Sequence, residues 1–305
     1  MSGNLVGPGL REALQREGIL QATSVPGVYQ RSHVFESVVR GLEQLEHRLG
    51  ERAGSYEPLL HLPPIMARET LVKTDYLRSF PDLVGSIDTF GGNDRDHARL
   101  LQLVDAGEDW TQALTASEVT LSSAACHSIY PQLDTAVPAT GRHLEVVGYC
   151  FRHEPSEDPV RMQSFRMHEF VHVGTPSSAL AHRDLWADLG MEMLTGLGLP
   201  MEKVVANDPF FGRAGRMLVK SQRETELKYE LVCPVTSEDA PTAICSANYH
   251  LEHFGDPFGL TTPDGATAHS ACAGFGLERI TLALLATHGT SPAHWPSSVR
   301  EQLWP

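Results

Sequence analysis

Phe151-Arg152-His153-Glu154 and, beyond residues 155–164, Phe165-Arg166-Met167-His168-Glu169-Phe170 are the stretch on which the fold turns. Each half is an apolar-patterned segment carrying an Arg and a Glu beside aromatics, and a charged loop separates them. The pattern predicts two antiparallel strands. Residues two apart on a strand share a face, so Arg152 and Glu154 point the same way. A guanidinium fork grips phosphate, a neighbouring carboxylate accepts from a base amino group, and an aromatic ring stacks on a purine. Those are the needs of an adenine-nucleotide site, although a solvated cross-strand salt bridge uses the same residue types.

The second informative stretch is Ala271-Cys272-Ala273-Gly274-Phe275-Gly276-Leu277-Glu278-Arg279-Ile280, followed by TLALLA. A glycine-spaced strand running into a helix allows close backbone approach to a ligand. It sets Arg279 at the helix start, where the dipole favours anions. A Gly-rich turn ahead of a core helix has the same composition, so this segment decides nothing alone.

Working outward, residues 1 to 30 show no clear period and are expected as a loosely attached arm. Residues 33 to 52 place Val34, Val38, Leu42, Leu45 and Leu49 at helical spacing. Residues 92 to 114 predict a second helix, interrupted near Gly107. From about residue 117 the texture becomes antiparallel strands. Residues 177 to 198 return to helix, with Leu180, Leu185, Leu189, Met193 and Leu197 along one side. YELVCPV reads as a buried strand, and Glu278 to Thr287 as a final core helix.

The chain has 305 residues, 24 Lys+Arg against 38 Asp+Glu, and a formal net charge of -14. It is long enough for one large domain, and its acidity opposes general nucleic-acid binding. The five cysteines, Cys126, Cys150, Cys233, Cys245 and Cys272, form no CxxC pair. With no basic, apolar leader and no long uncharged apolar run, the expectation is a cytoplasmic protein with reduced thiols and no membrane association.

Taken in order, the two motifs resemble motifs 2 and 3 of class II aminoacyl-tRNA synthetases. FRHE is similar to the fRxE strand, RMHEF to its return strand, and GFGLER to the glycine-rich strand and arginine helix. FRMHEFVHVG, LKYELVCPV and CSANYHLEHFG are similar to segments of the seryl-tRNA synthetase branch, and YEPLLHLPPIM to the proline-terminated motif 1 of its dimer interface. The resemblance covers residues 55 to 290. It implies an α+β fold, an antiparallel β-sheet flanked by helices, and a homodimer. The division is an N-terminal arm and helix at 1–54, then a catalytic domain at 55–305 with motif 1 near 56–66, motif 2 near 149–174 and motif 3 near 271–287.

One helix before motif 1 is too little for the long helical arm of seryl enzymes. Residues 1 to 65 hold six Arg and no Lys against seven Glu, so this end lacks a basic face for tRNA. The chain therefore resembles the amino acid:[carrier protein] ligases, truncated relatives of the atypical, zinc-dependent seryl enzymes. By that resemblance Cys126, Glu169 and Cys272 hold one Zn2+ per chain whose fourth position takes the substrate amino group. Two thiolates and a carboxylate suit such an open site. Glu169 stands where ordinary seryl enzymes have Gln, and Cys272 where they have Gly. His127 is a candidate for orienting the cluster. Cys150, Cys233 and Cys245 are read as core thiols, and no histidine is assigned to metal.

The same resemblance makes Arg152 and Arg279 the catalytic residues. Arg152 holds the α-phosphate and the carboxylate, Glu154 meets the adenine amino group, Phe170 stacks on the ring, and Arg279 meets the γ-phosphate, with Arg166 also in the ATP site. Asn248 and Ser246 line the substrate pocket. Mg2+ spans the phosphates; Glu238 and Asp239 are weak candidates for holding it. The expected reaction is ATP-dependent activation of a small amino acid, glycine or alanine, to an aminoacyl-adenylate. Transfer to the phosphopantetheine thiol of an acidic carrier protein follows, with Arg213, Arg216, Lys220 and Arg223 as a docking face and no tRNA. The alternatives are a compact seryl-type synthetase acting on tRNA and a catalytically silent, amino-acid-sensing paralogue.

Overall fold

Period-two and period-3.6 runs follow one another along the chain. The computed structural model describes residues 5–7, 9–206 and 226–305. In it these runs become α1 (Leu10–Arg16), β1 (Leu20–Ala22), β2 (Tyr29–Arg31), α2 (His33–Ala53), β3 (Leu60–Leu62), β4 (Ile65–Ala67), α3 (Arg68–Lys73), α4 (Tyr76–Ser79), β5 (Ser86–Thr89), α5 (Asp94–Ala106) and β6 (Thr115–Leu121). Then come β7 (Arg142–Phe151), β8 (Ser164–Gly174), α6 (Pro176–Gly196), β9 (Glu202–Ala206), β10 (Lys228–Cys233), β11 (Thr242–Leu251), α7 (Gly255–Phe258), β12 (His269–Gly276), α8 (Leu277–His288) and α9 (Ser297–Leu303). The cluster Arg213, Arg216, Lys220 and Arg223 lies outside the described residues.

A seven-stranded sheet runs β3-β7-β8-β12-β11-β10-β9, antiparallel except where β3 joins β7 in parallel. The expected α+β class holds: antiparallel sheet, with helices against it. The expected hairpin is β7–β8, paired from Arg142↔Val173 to Phe151↔Ser164. Its two faces enter different cores. Phe170, Ala273 and Phe275 pack beneath α2, α6 and α8, while Val146, Val171 and Cys272 face the short helical turn at Ala125–Ser128.

The periodic helices form where expected. Ser32 caps α2 by accepting from the Phe35 N–H, and Phe35, Val38, Leu42, Leu45 and Leu49 are buried. Asn93 and Asp96 form a capping box at the start of α5, and Gly107, at φ 66°, ends it. Helix α6 has the expected extent but turns a different face inward. His182, Trp186, Gly190 and Met193 are buried, whereas Leu180 and Leu185 are exposed. The bulk of Trp186, rather than the count of leucines, sets the buried stripe.

The N-terminal residues are not a loose arm. Leu10, Leu14 and Leu20 are fully buried in the same core as α2, α8 and Trp295, so packing gives no boundary at residue 54. The Leu5 and Gly7 N–H groups donate to the carbonyls of Ala286 and Val235. A small three-stranded sheet, β4-β6-β5, carries only Met66, Leu71 and Tyr76 as its own core. No helix among the described residues is long and apolar enough to cross a membrane.

Candidate active site

Strand alternation explains which motif residues meet. On β8, Phe165, Met167, Glu169 and Val171 share one face, and Arg166, His168, Phe170 and His172 the other. Register extends the first face sideways. Gly274 of β12 lies opposite Glu169, Cys272 opposite Val171, and Asn248 and Ser246 of β11 lie opposite Cys272 and Gly274. A Cβ on Gly274 would stand 2.7 Å from the Met167 side chain, so glycine is what this crossing admits.

Cys126, Glu169 and Cys272 are buried, and one donor atom from each lies within 4.8 Å of the others. Glu169 anchors the group. Its two carboxylate oxygens accept the Ala125 and Cys126 N–H groups at 3.0 and 3.2 Å. Cys272 Sγ accepts from Asn248 Nδ2 at 3.6 Å and lies 3.5 Å from His250 Nε2. Burial, then the charge of Cys272, raises the Glu169 carboxyl to about 7. Cys272 is the thiol that ionises first, because the Cys126 S–H donates to it. Packing three acidic donors together without water costs free energy that a divalent cation would offset. This donor set fits Zn2+.

Arg152 lies beyond the end of β7 with its guanidinium 5.4 Å from the Phe165 ring centroid. Arg279, in the first turn of α8, donates to the Val160 and Ala243 carbonyls at 2.9 and 3.0 Å. Burial, then the charge of Arg152, lowers its pKa to about 10. Two guanidinium groups that repel one another beside a desolvated wall form a place for a polyanion. Glu154 is 3.4 Å from Arg161. The loop carrying both is held from the N-terminal side. Gln163 donates to the Pro26 carbonyl and Tyr29 to the Glu157 carbonyl, while Arg11 pairs with Glu157 at 2.5 Å.

Two residues expected in the ATP site stand on the opposite face. Phe170 is fully buried, stacked on Trp186 with centroids 3.7 Å apart. Arg166 is committed to carboxylates: its guanidinium donates to both Glu36 oxygens at 2.8 and 2.9 Å and to Glu278 at 2.8 Å. An odd-numbered offset from Glu169 turns a side chain away from the site, and these two have such offsets. The aromatic on the Arg152 side is Phe165, which the same alternation identifies. His127 meets Ser123 and the rings of Tyr76 and Phe254. Glu238 and Asp239 are exposed in the β10–β11 turn. Glu230, by contrast, lies opposite Ser246 and acts on Arg279. Cys150, Cys233 and Cys245 are buried core thiols, as expected. His250 was missed, although it follows Asn248 by two residues and so shares its face.

No protein-family model matches the chain. Two curated relatives from Bradyrhizobium diazoefficiens, amino acid–[acyl-carrier-protein] ligases 1 and 2, are 41% and 40% identical over 281 and 280 residues. Each alignment takes in 91% of this chain, and 85% and 83% of those proteins. The type-2 serine–tRNA ligase of Methanopyrus kandleri is 27% identical over 86% of this chain and 53% of its own length. In a solved complex of M. kandleri seryl-tRNA synthetase with A. aeolicus tRNASec, the synthetase superposes at a TM-score of 0.82. That match covers 99% of this chain and 60% of the synthetase at 24% identity, a likeness of fold. The hairpin, the glycine-rich strand and the helix behind it are thus those of a class II aminoacyl-tRNA synthetase. With two curated relatives matched across most of their length, the chain belongs to the amino acid–[acyl-carrier-protein] ligase family.

Proposed function

We propose that this ligase activates a small amino acid, glycine or alanine, with ATP and passes the aminoacyl group from the adenylate to the phosphopantetheine thiol of an acidic carrier protein. The observation that carries the reading is the convergence of Cys126, Glu169 and Cys272 on the sheet face that also presents Phe165. The names of the two close relatives supply the class of acceptor.

Each residue has a task set by charge. Attack of a carboxylate on the α-phosphorus brings two anions together, so cationic groups must hold them in line and meet the developing charge. Arg152 takes the α-phosphate and the amino-acid carboxylate. Adenine lies over Phe165, with its amino group toward Glu154. Arg279, fixed by two carbonyls, meets the outer phosphates. Asn248 and Ser246 border the amino-acid pocket, with Asn248 orienting Cys272. Cys126, Glu169 and Cys272 would hold the Zn2+, which when bound supplies a Lewis acid for the substrate amino group. Glu230, opposite Ser246 in the ladder and 3.2 Å from Lys228 Nζ, is the carboxylate proposed to meet Mg2+ accompanying ATP. A second copy of the chain is the proposed cover for the motif 1 segment, where Leu60 and Ile65 are exposed.

ATP–pyrophosphate exchange across a panel of amino acids tests the first half-reaction. Exchange with glycine or alanine is expected, and none with any amino acid would refute activation. Mass spectrometry of a holo carrier protein incubated with enzyme, ATP and that amino acid should then show one aminoacyl addition. Loading of tRNA in its place would reassign the acceptor.

A further inference from the structure

On the sheet face turned away from Cys126 and Glu169, three imidazoles converge. His143 of β7 and His172 of β8 are directly opposite in the ladder, and His182 reaches them from α6. One ring nitrogen of each lies within 4.8 Å of the others. Ring centroids are 4.3 Å apart for His143–His172, 5.5 Å for His172–His182 and 5.9 Å for His143–His182. No step of the adenylation chemistry uses them.

Hydrogen bonds fix where two of the protons sit. His182 Nε2 is 3.0 Å from the Phe170 carbonyl, which only accepts, so Nε2 carries the proton and Nδ1 the lone pair. Ser178 Oγ donates to the Thr175 carbonyl at 3.0 Å, so it accepts from His172 Nε2 at 2.8 Å. His172 Nδ1 is then also a lone pair, and it is buried without a hydrogen-bond partner among the described residues. Burial keeps the imidazoles neutral: His182 is held down to about 3, His172 to about 4, and His143 below its ordinary value. The His172 ring occupies a slot between two glycines. A Cβ on Gly141 would stand 2.3 Å from its Cε1, and one on Gly174 2.6 Å from its Nε2.

Neutral imidazoles whose far nitrogens donate to a carbonyl or hydroxyl are how proteins present histidine to a metal. A buried lone pair with nothing to accept is otherwise a cost. We propose that His143, His172 and His182 bind a first-row divalent transition metal, zinc foremost, at a second site distinct from the cysteine cluster. This site ties β7, β8 and α6 together behind motif 2. Three imidazoles suit Zn2+ with one open position. Nitrogens in a tetrahedral site lie about 3.3 Å apart, so the ligands close slightly on the ion, and the half-buried His143 has the room to move.

Untagged protein, stripped with chelator and titrated with Co2+, tests this. Two equivalents are expected. One carries the near-ultraviolet thiolate charge-transfer band of the cysteine cluster, the other only the visible bands of a nitrogen-ligated ion. His143→Gln should keep the metal-free melting temperature and the charge-transfer band, and weaken the second equivalent by at least about tenfold. Should that variant fold poorly, Ser178→Ala, which frees His172 Nε2, should weaken the same equivalent. A single equivalent that retains its charge-transfer band in His143→Gln overturns the site. So does unchanged second binding in both variants. Absence of pyrophosphate exchange would not bear on it, because cobalt binding is read without substrate.

Discussion

The two faces of β8 solve opposite problems with neighbouring residues. On the helix side the buried cations are flanked by carboxylates. Arg166 lies between Glu36 and Glu278, and His168 between Glu46 at 2.9 Å and Glu145 at 2.8 Å. On the other side Glu169 accepts two backbone N–H groups and has no salt-bridge partner among the described residues. Arg152 and Arg279 add positive charge without cancelling one another. A strand can thus spend one face on stability and leave the other electrostatically unfinished for ligands. What distinguishes the faces is what the buried carboxylates meet, cationic side chains on one and backbone N–H groups on the other, since Arg and Glu occur on both.

Removing one arginine from each face breaks the comparison most sharply. Arg152→Ala should lower pyrophosphate exchange by on the order of 1,000-fold or more, with little change in melting temperature, since transition-state charge on a phosphoryl group is what such a residue meets. Arg166→Ala should instead destabilise, because it takes from the buried Glu278 and from Glu36 one of the two guanidinium groups they share, leaving Arg31 alone with both. Removing one partner of a buried pair costs about 3–5 kcal/mol, and the remaining Arg31 should hold the loss toward the lower end. Equal loss of exchange in folded Arg166→Ala protein would show that the helix face contacts ATP after all.

Two phenylalanines give the next contrast. Phe170→Ala removes a fully buried ring stacked on Trp186 and should cost about 3–5 kcal/mol in denaturant unfolding. Phe165→Ala should leave stability nearly intact and raise the KM for ATP, by the roughly 1–3 kcal/mol that an aromatic gains by stacking on a base. If KM responds to Phe170 and not to Phe165, adenine sits elsewhere.

Much of this arrangement is legible in the sequence. Period two in FRMHEFVHVG and period 3.6 in residues 33 to 52 and 177 to 198 mark elements whose packing faces repeat along the chain. The R-x-x-x-F spacing from Arg166 points to Phe170, whereas parity from Glu169 points to Phe165. The buried face of α6 escaped because leucines were counted where Trp186 and His182 do the filling. The N-terminus escaped for another reason: α1 is only seven residues long, too short for Leu10 and Leu14 to establish a period, and Leu5 and Gly7 are held by backbone hydrogen bonds. Cys126 and Cys272 are far apart in sequence, so only the family resemblance, and then the sheet, brings them together.

His168 sharpens the comparison through pH. Flanking carboxylates raise it from 6.5 to about 9 against the pull of burial. A native imidazolium that holds a proton the unfolded chain has lost contributes stability fully present below pH 6.5, and lost as pH rises through about 9. Unfolding free energy should therefore fall by about 3 kcal/mol across that window, and His168→Gln should flatten the slope. An equal slope in the variant would mean that other groups carry it.

The smallest expected effect concerns how closely a helix may approach the helix side of β8. Gly50 lies inside α2, where alanine would ordinarily gain up to about 1 kcal/mol of helix propensity. Here a Cβ would meet Phe170 Cε1 at 2.5 Å, and that ring is held by stacking on Trp186, centroids 3.7 Å apart, and by T-shaped contacts with Tyr56 and Phe275. Overpacking of this kind costs about 1–3 kcal/mol, so Gly50→Ala should lower stability despite the better helix former. Gly50→Ala placed in a Phe170→Leu background should recover part of that loss, since the smaller side chain vacates the contact. Additive losses in the double variant would show that the clash is relieved elsewhere, and that the fit of α2 against β8 is looser than its geometry indicates.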